Sequence, residues 1–159
     1  MHESIATVDQ LYGVSGALYE RALEGVSPED LRRRPGEGTN PLLWIAGHLA
    51  SVRISVCGML GAPREVPWGK TFFRGSVVDP DALPGIDGIR QEWRAVTEVL
   101  TRRLDEVTAD VLEAASPKKF PIPDPTVRGA VAFLAWHEAY HVGQMSLLRR
   151  WLGLSGLAG

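Results

Sequence analysis

A single cysteine, Cys57, in 159 residues leaves no partner for an intrachain disulfide, so no covalent crosslink within the chain holds the fold together. That sparing use of cysteine fits a reducing cytoplasm, which is the location expected. Charge of one sign is also lacking: 17 Lys and Arg stand against 19 Asp and Glu, for a formal net charge of -2. Such a balance carries no basic footprint for a phosphate backbone, and no nucleic-acid partner is expected. The opening MHESIATVDQLYG has neither the basic start nor the unbroken apolar run of a secretory signal. No stretch reads as the roughly 18–20 apolar residues of a membrane span, so no membrane partner is expected either. Alternating strand patterns and fixed-period repeats are missing; only FFRGSVV, residues 72–78, leaves room for a short extended piece.

What is present is helical periodicity. With 45% hydrophobic and 23% charged residues, the chain reads as one domain, 1–159. At this length roughly 68–70% of the unfolded chain's surface can be buried. A first amphipathic segment, about 3–24, spaces Ile5, Val8, Tyr12, Ser15, Leu18 or Tyr19 and Ala22 as a helix ended by Gly25. After SPEDLRRRPGEG, a short turn and loop, Asn40-Pro41 supplies a cap and a first-turn proline for a second helix, about 41–60. Its stripe is Trp44, Ile45, His48, Leu49, Val52, Val56 and Met59. Residues 61–85 are broken by glycine and proline and form a long loop of the kind that often carries function. A third helix, about 86–107, presents Ile89, Trp93, Val96, Leu100, Leu104 and Val107. The fourth, about 126–152, follows start signals at Asp124-Pro125 and Thr126, and its inward stripe reads Ala130, Phe133, Leu134, His137, His141, Met145, Leu148 and Leu152. Four amphipathic helices without strands define an all-α, four-helix-bundle class. Spacing alone leaves the up-down order open.

Two of the four histidines stand in HEAYHVGQ, residues 137–144. His137 and His141 are i and i+4, which places two imidazoles on one helix face, within reach of one ion. A lone histidine on an apolar stripe is ordinarily a hydrogen-bonded core residue. Two on one stripe are costly to bury without partners, at about 1–3 kcal/mol each, and a cation would satisfy both. HEAYH also matches the H-E-x-x-H pattern of zinc peptidases, which take their third ligand downstream. Downstream of His141 there is no His, Asp, Glu or Cys, so a third ligand must lie upstream. His48, within the stripe of the second helix, is the histidine available; His2 sits at the extreme N-terminus and is left out. Three imidazoles from two helices would leave coordination positions open for water or substrate.

NPLLWIAGHLA, ending close to His48, and TVRGAVAFLAWHEAYHVGQMSLLRR together resemble the DinB/YfiT-like superfamily of metal-dependent enzymes. The lead-in SPEDLRRRPGEG is similar too, and the likeness covers most of the chain. The resemblance implies an up-down-down-up four-helix bundle, commonly a homodimer. It implies a three-histidine site, here His48, His137 and His141, for one divalent ion such as zinc or nickel. It further implies a small-molecule substrate with a low-molecular-weight thiol as cosubstrate, since characterised relatives include S-transferases and isomerases that use bacillithiol, mycothiol or glutathione. A metal-dependent hydrolase and a non-enzymatic, metal-stapled ligand-binding bundle are the alternatives.

The residues around the histidines admit paired readings. Glu138, about 100° around the helix from His137, is either a general base or a charged residue on the helix flank. Gln144, about one turn beyond His141, either supports a ligand or sits at the stripe's polar rim. Tyr140 either hydrogen-bonds a ligand or packs. Trp44 and Trp136 read as core. Trp68, Phe72 and Phe73 either cover the pocket mouth, meet a partner or, as preferred, anchor the long loop. Lys118, Lys119 and Arg128 flank the start of the last helix, as a receptor for a carboxylate or as solvated surface. Cys57 reads as a buried, unreactive thiol.

Overall fold

The computed structural model describes residues 2–72 and 83–157. Four long helices dominate: α1 (Ala6–Leu23), α2 (Leu42–Met59), α3 (Ile86–Glu106) and, after a one-turn helix α4 (Ala109–Glu113), α5 (Val127–Trp151). Three-residue 3-10 turns precede α1 (Glu3–Ile5) and fill the predicted short turn (Asp30–Arg32). Among the described residues there is no strand, only an isolated bridge between Ala115 and Thr126. FFRGSVV lies outside the described residues apart from Phe72, so the extended piece expected there has no counterpart to compare.

The expected helix limits hold to within one residue except at the start of α1, which begins three residues late because Glu3–Ile5 form a 3-10 turn. Pro41 sits at the cap of α2 with extended backbone, and the helix begins at Leu42, one position later than expected. Thr126 caps α5, its hydroxyl accepting from the Gly129 amide at 3.3 Å. Gly25 and Gly153 follow α1 and α5 at φ 69° and 82°, a conformation that glycine adopts without steric cost. The sequence reading passed over α4; its single buried side chain, Leu112, carries too little apolar pattern to signal a helix.

Two apolar clusters settle the direction of each helix. One joins Tyr19–Leu23 of α1 and Val142–Leu148 of α5 with Leu42–Ala50 of α2 and Ile89 and Trp93 of α3. The other joins the beginnings of α1 and α5 with the later halves of α2 and α3. Ends of α1 and α5 therefore meet beginnings of α2 and α3, which is an up-down-down-up order. Cross-links agree: the Tyr12 hydroxyl donates to the Val131 carbonyl at 3.1 Å, and Arg149 donates to that of Ala22 at 3.0 Å, so α1 and α5 run parallel. α2 and α5 are antiparallel neighbours, and the histidines sit on these two helices.

Burial departs from the predicted stripes in an informative way. All six expected core positions of α3 are buried. By contrast, α2 is buried almost all round: Leu42–Gly47, Leu49–Ser51, Arg53, Val56 and Cys57 are buried, whereas Val52 and Met59 are only partly so. By length and composition α2 is apolar enough to cross a membrane, contrary to the reading that no stretch is; in this fold 67% of it is buried inside the bundle. The inward face of α5 is rotated from the expected one. It runs Val127, Ala130, Val131, Leu134, Ala135, Glu138, Val142, Met145, Leu148 and Arg149, so a carboxylate occupies its middle and the histidines its edge. Phe133 and Leu152 pack only at the margin. Trp136, expected in the core, is 56% exposed.

Candidate metal centre

His48 from α2 and His137 and His141 from α5 converge at the edge where these antiparallel helices meet. All three are half-buried, and one ring nitrogen from each lies within 4.8 Å of the others. The His48 and His137 Nε2 atoms are 3.4 Å apart, and those of His137 and His141 3.1 Å. Nitrogens bound tetrahedrally at about 2.0–2.1 Å from one ion are about 3.3 Å apart, so the spacing is that of a shared ligand set.

Hydrogen bonds on the far side of two rings fix which nitrogen is free. The His48 Nδ1 is 2.8 Å from the Phe72 carbonyl oxygen, and the His141 Nδ1 is 2.6 Å from Gln144 Oε1. Carbonyl oxygens only accept, so each Nδ1 carries the proton and each Nε2 presents a lone pair to the centre. His137 Nδ1 is buried without a hydrogen-bond partner among the described residues. Its one proton, if on Nε2, can serve only one of the two lone pairs facing it. A cluster of acceptors with too few protons fits a cation.

Burial pushes all three imidazoles below the ordinary histidine range. His137 and His141 fall to about 4, with their ring neighbours adding to the effect, and His48 is lowered against the opposing hydrogen bond to Phe72. Near pH 7 the rings are neutral, which is the ligating form.

The supports come from local sequence. Trp44, one turn before His48, stacks on it at 4.8 Å and 12°. Gly47, beside the ligand, lies beneath the buried Phe72 ring; a Cβ at that position would overlap the ring, so only glycine lets the loop close down and bring the Phe72 carbonyl to His48. Trp68 packs edge-on against Phe72 at 5.4 Å, which makes this part of the loop an anchor. On α5, the Gln144 amide nitrogen donates to the Tyr140 hydroxyl at 3.2 Å while its oxygen holds His141. Tyr140 is 53% exposed and stacks with Trp136 at 5.9 Å, so neither ring is core. Phe73 lies outside the described residues.

Glu138 departs most from expectation. Its side chain is fully buried, and both carboxylate oxygens accept from Arg53, Oε2 from Nε at 2.8 Å and Oε1 from Nη2 at 2.6 Å. Arg53 is itself 1% exposed, donates also to Thr97 and to the Tyr12 carbonyl, and lies 3.8 Å over the Trp93 ring. Burial pushes the Glu138 carboxyl up, against the hydrogen bonds and charge of Arg53, which hold it down. The flank reading is thus overturned by complete burial. The general-base reading has no free oxygen to work with. Sequence reasoning passed over Arg53 altogether, although it is the one charged residue in α2, and Glu138 the one acid in α5.

The remaining candidates lie apart from the centre. Cys57 is a buried thiol that burial pushes up to about 11. His2 bonds Ser4 at the first turn. Arg128 pairs with Asp124 and Glu113, which neutralises the start of α5 rather than opening it to a carboxylate. Lys118 and Lys119 are exposed.

An up-down-down-up helical bundle with three histidines of two antiparallel helices turned to a common point defines the class: a four-helix bundle with a candidate metal centre. The chain belongs to the DinB superfamily, whose sequence pattern matches residues 12–145. A solved structure that it resembles is YfiT from Bacillus subtilis, described as a probable metal-dependent hydrolase with an unusual four-helix bundle topology. The likeness covers 98% of this chain and 94% of that one, with a TM-score of 0.67 and 17% sequence identity, and it shows the fold. Comparison with curated proteins finds no match.

Proposed function

We propose that this protein is a metal-dependent enzyme in which His48, His137 and His141 hold one divalent ion, zinc or nickel, and that it transfers a low-molecular-weight thiol to an electrophile. The observation that carries the reading is the convergence of three neutral imidazoles at a half-buried edge. A divalent ion held there would act as a Lewis acid and lower the pKa of a thiol or water at its open position. The chain's own residues supply the rest. The Phe72 carbonyl and Gln144 orient two of the rings, and Trp44 and Phe72 exclude water from one side. The Tyr140 hydroxyl accepts from Gln144 and keeps its own proton to donate to a substrate acceptor. In the transfer, the sulfur forms a bond to the electrophilic carbon, the bond to the leaving group breaks, and the thiol proton passes to solvent.

Hydrolysis is the second reading, favoured by the description attached to YfiT. Activating water at such a site commonly draws on a carboxylate, and the one nearest in sequence, Glu138, is closed by Arg53. A thiol starts from a pKa of about 8.5 against about 15.7 for bulk water, so its ionisation at the ion calls for less help from a base. The test is to incubate zinc- or nickel-loaded protein with bacillithiol, mycothiol or glutathione and monobromobimane. Conjugation that depends on both metal and thiol, and is absent in His137→Ala, is expected. Thiol consumption no faster than the uncatalysed reaction, together with cleavage of p-nitrophenyl esters, would establish the hydrolase instead.

The proposal extends to a homodimer in the cytoplasm. Exposed Leu147 and Trp151, one turn apart on α5, support self-association, and sedimentation at graded concentration tests it.

A further inference from the structure

A second open feature lies one helical turn from the histidines, none of which lines it. A cavity of about 270 Å³ lies between α2, α5 and the segment before α5. Its α2 wall is Val52, Ser55 and Met59, which with His48 fall at i+4, i+7 and i+11, a single line along the helix. Its α5 wall is Leu134, one turn before His137. Phe120 closes the third side and packs at 5.3 Å on Phe133, whose ring lies 6.4 Å from that of His137. The cavity and the histidines therefore share walls on both helices. Among the described residues that line it, Lys118 is the one that carries a charge and none is a carboxylate.

We infer that this cavity binds the apolar portion of the substrate, an alkyl or aryl group attached to an electrophile whose reacting atom lies at the three histidines; the inference rests on the reading given under Proposed function. The described walls are aliphatic and aromatic apart from Ser55 and Lys118, so they offer contact to an apolar group and few partners to water. Since a cavity of about 150 Å³ accepts benzene, this one suits a group of roughly six to ten carbons. From His48 to Ser55 the helix rises about 10 Å, which sets the reach between the reacting atom and the middle of the cavity.

The test uses cobalt-loaded protein, whose visible spectrum reports coordination without turnover, and two hydroxamates that share a metal-binding head. Octanohydroxamate is expected to bind at least about tenfold tighter than acetohydroxamate. Two variants remove the space. Gly58 is exposed at the cavity rim, and a Cβ there meets nothing nearer than the Pro63 Cα at 3.9 Å, so Gly58→Phe plugs the cavity without entering the core. Met59→Glu places a carboxylate in the lining. Both should bring the two affinities to within about twofold while leaving acetohydroxamate unchanged. Equal affinities in the unaltered protein, or a long-chain advantage that survives both variants, would overturn the cavity assignment and leave the metal centre standing. A bound cobalt whose spectrum neither hydroxamate shifts would overturn the function itself, and this inference with it.

Discussion

His137 and Glu138 are adjacent in the chain, and their surroundings are opposites. Glu138 points into the bundle and has both oxygens filled by Arg53, which in turn donates to Thr97 and Tyr12. His137 points to the edge, where its Nε2 meets two other nitrogens and its Nδ1 meets no donor or acceptor among the described residues. One polar group is completed by protein; the other has an Nε2 that faces two further ring nitrogens, with at most one proton among the three. A buried polar group that the chain satisfies helps to hold the fold, whereas a cluster of ring nitrogens short of protons calls for a further partner such as an ion. The same two helices carry both arrangements, so the closed pair registers α2 against α5 and thereby sets the spacing of the open trio.

This contrast can be broken from either side. The largest effect is expected on the closed side. Arg53→Met or Glu138→Ala leaves an uncompensated buried charge and should cost about 3–5 kcal/mol, with or without metal, in urea denaturation. An equal cost in the double variant Arg53→Met with Glu138→Leu is not expected, since apolar replacement of both partners removes the stranded charge.

On the open side, Gln144→Leu removes the acceptor on His141 Nδ1 and should weaken zinc about 10–100-fold, with little change in the stability of the metal-free protein. Competition titration against a chromophoric chelator measures it. Unchanged affinity would show that Gln144 merely caps the stripe.

A last effect, spread over a range of pH, concerns protons. His137 and His141 titrate near 4 when folded, against about 6.5 in an unfolded chain. Their folded values are depressed, so the metal-free protein is favoured above pH 6.5 and loses stability as pH falls from about 6.5 towards 4. Histidine ring proton shifts in NMR should show two rings still neutral at pH 5.5. Midpoints near 6.5 would place those rings in water rather than in the cluster.

Much of this arrangement was legible in the sequence. Periodicity located four helices, and the i, i+4 pair with no downstream ligand directed attention to His48. The inward face of α5 was misread because Glu138 was treated as solvent-facing, although it falls in register with Val131, Leu134, Val142 and Met145. A lone arginine in α2 and a lone acid in α5 were the available signal, and pairing them would have turned the helix correctly. Trp136 went astray for the related reason that aromatic rings were assigned inward by type. The roles of Phe72 and Gly47 depend on a loop folding back on α2, a contact between residues distant in sequence that no periodicity encodes.

The most direct measurement is zinc stoichiometry and affinity for the unaltered protein and for His48→Ala, His137→Ala and His141→Ala. One ion per chain is expected, with each substitution lowering affinity at least about a hundredfold while the helical circular dichroism is retained. Zinc bound equally well by all four proteins, or not bound at all by the unaltered one, would contradict a metal centre formed by these three side chains.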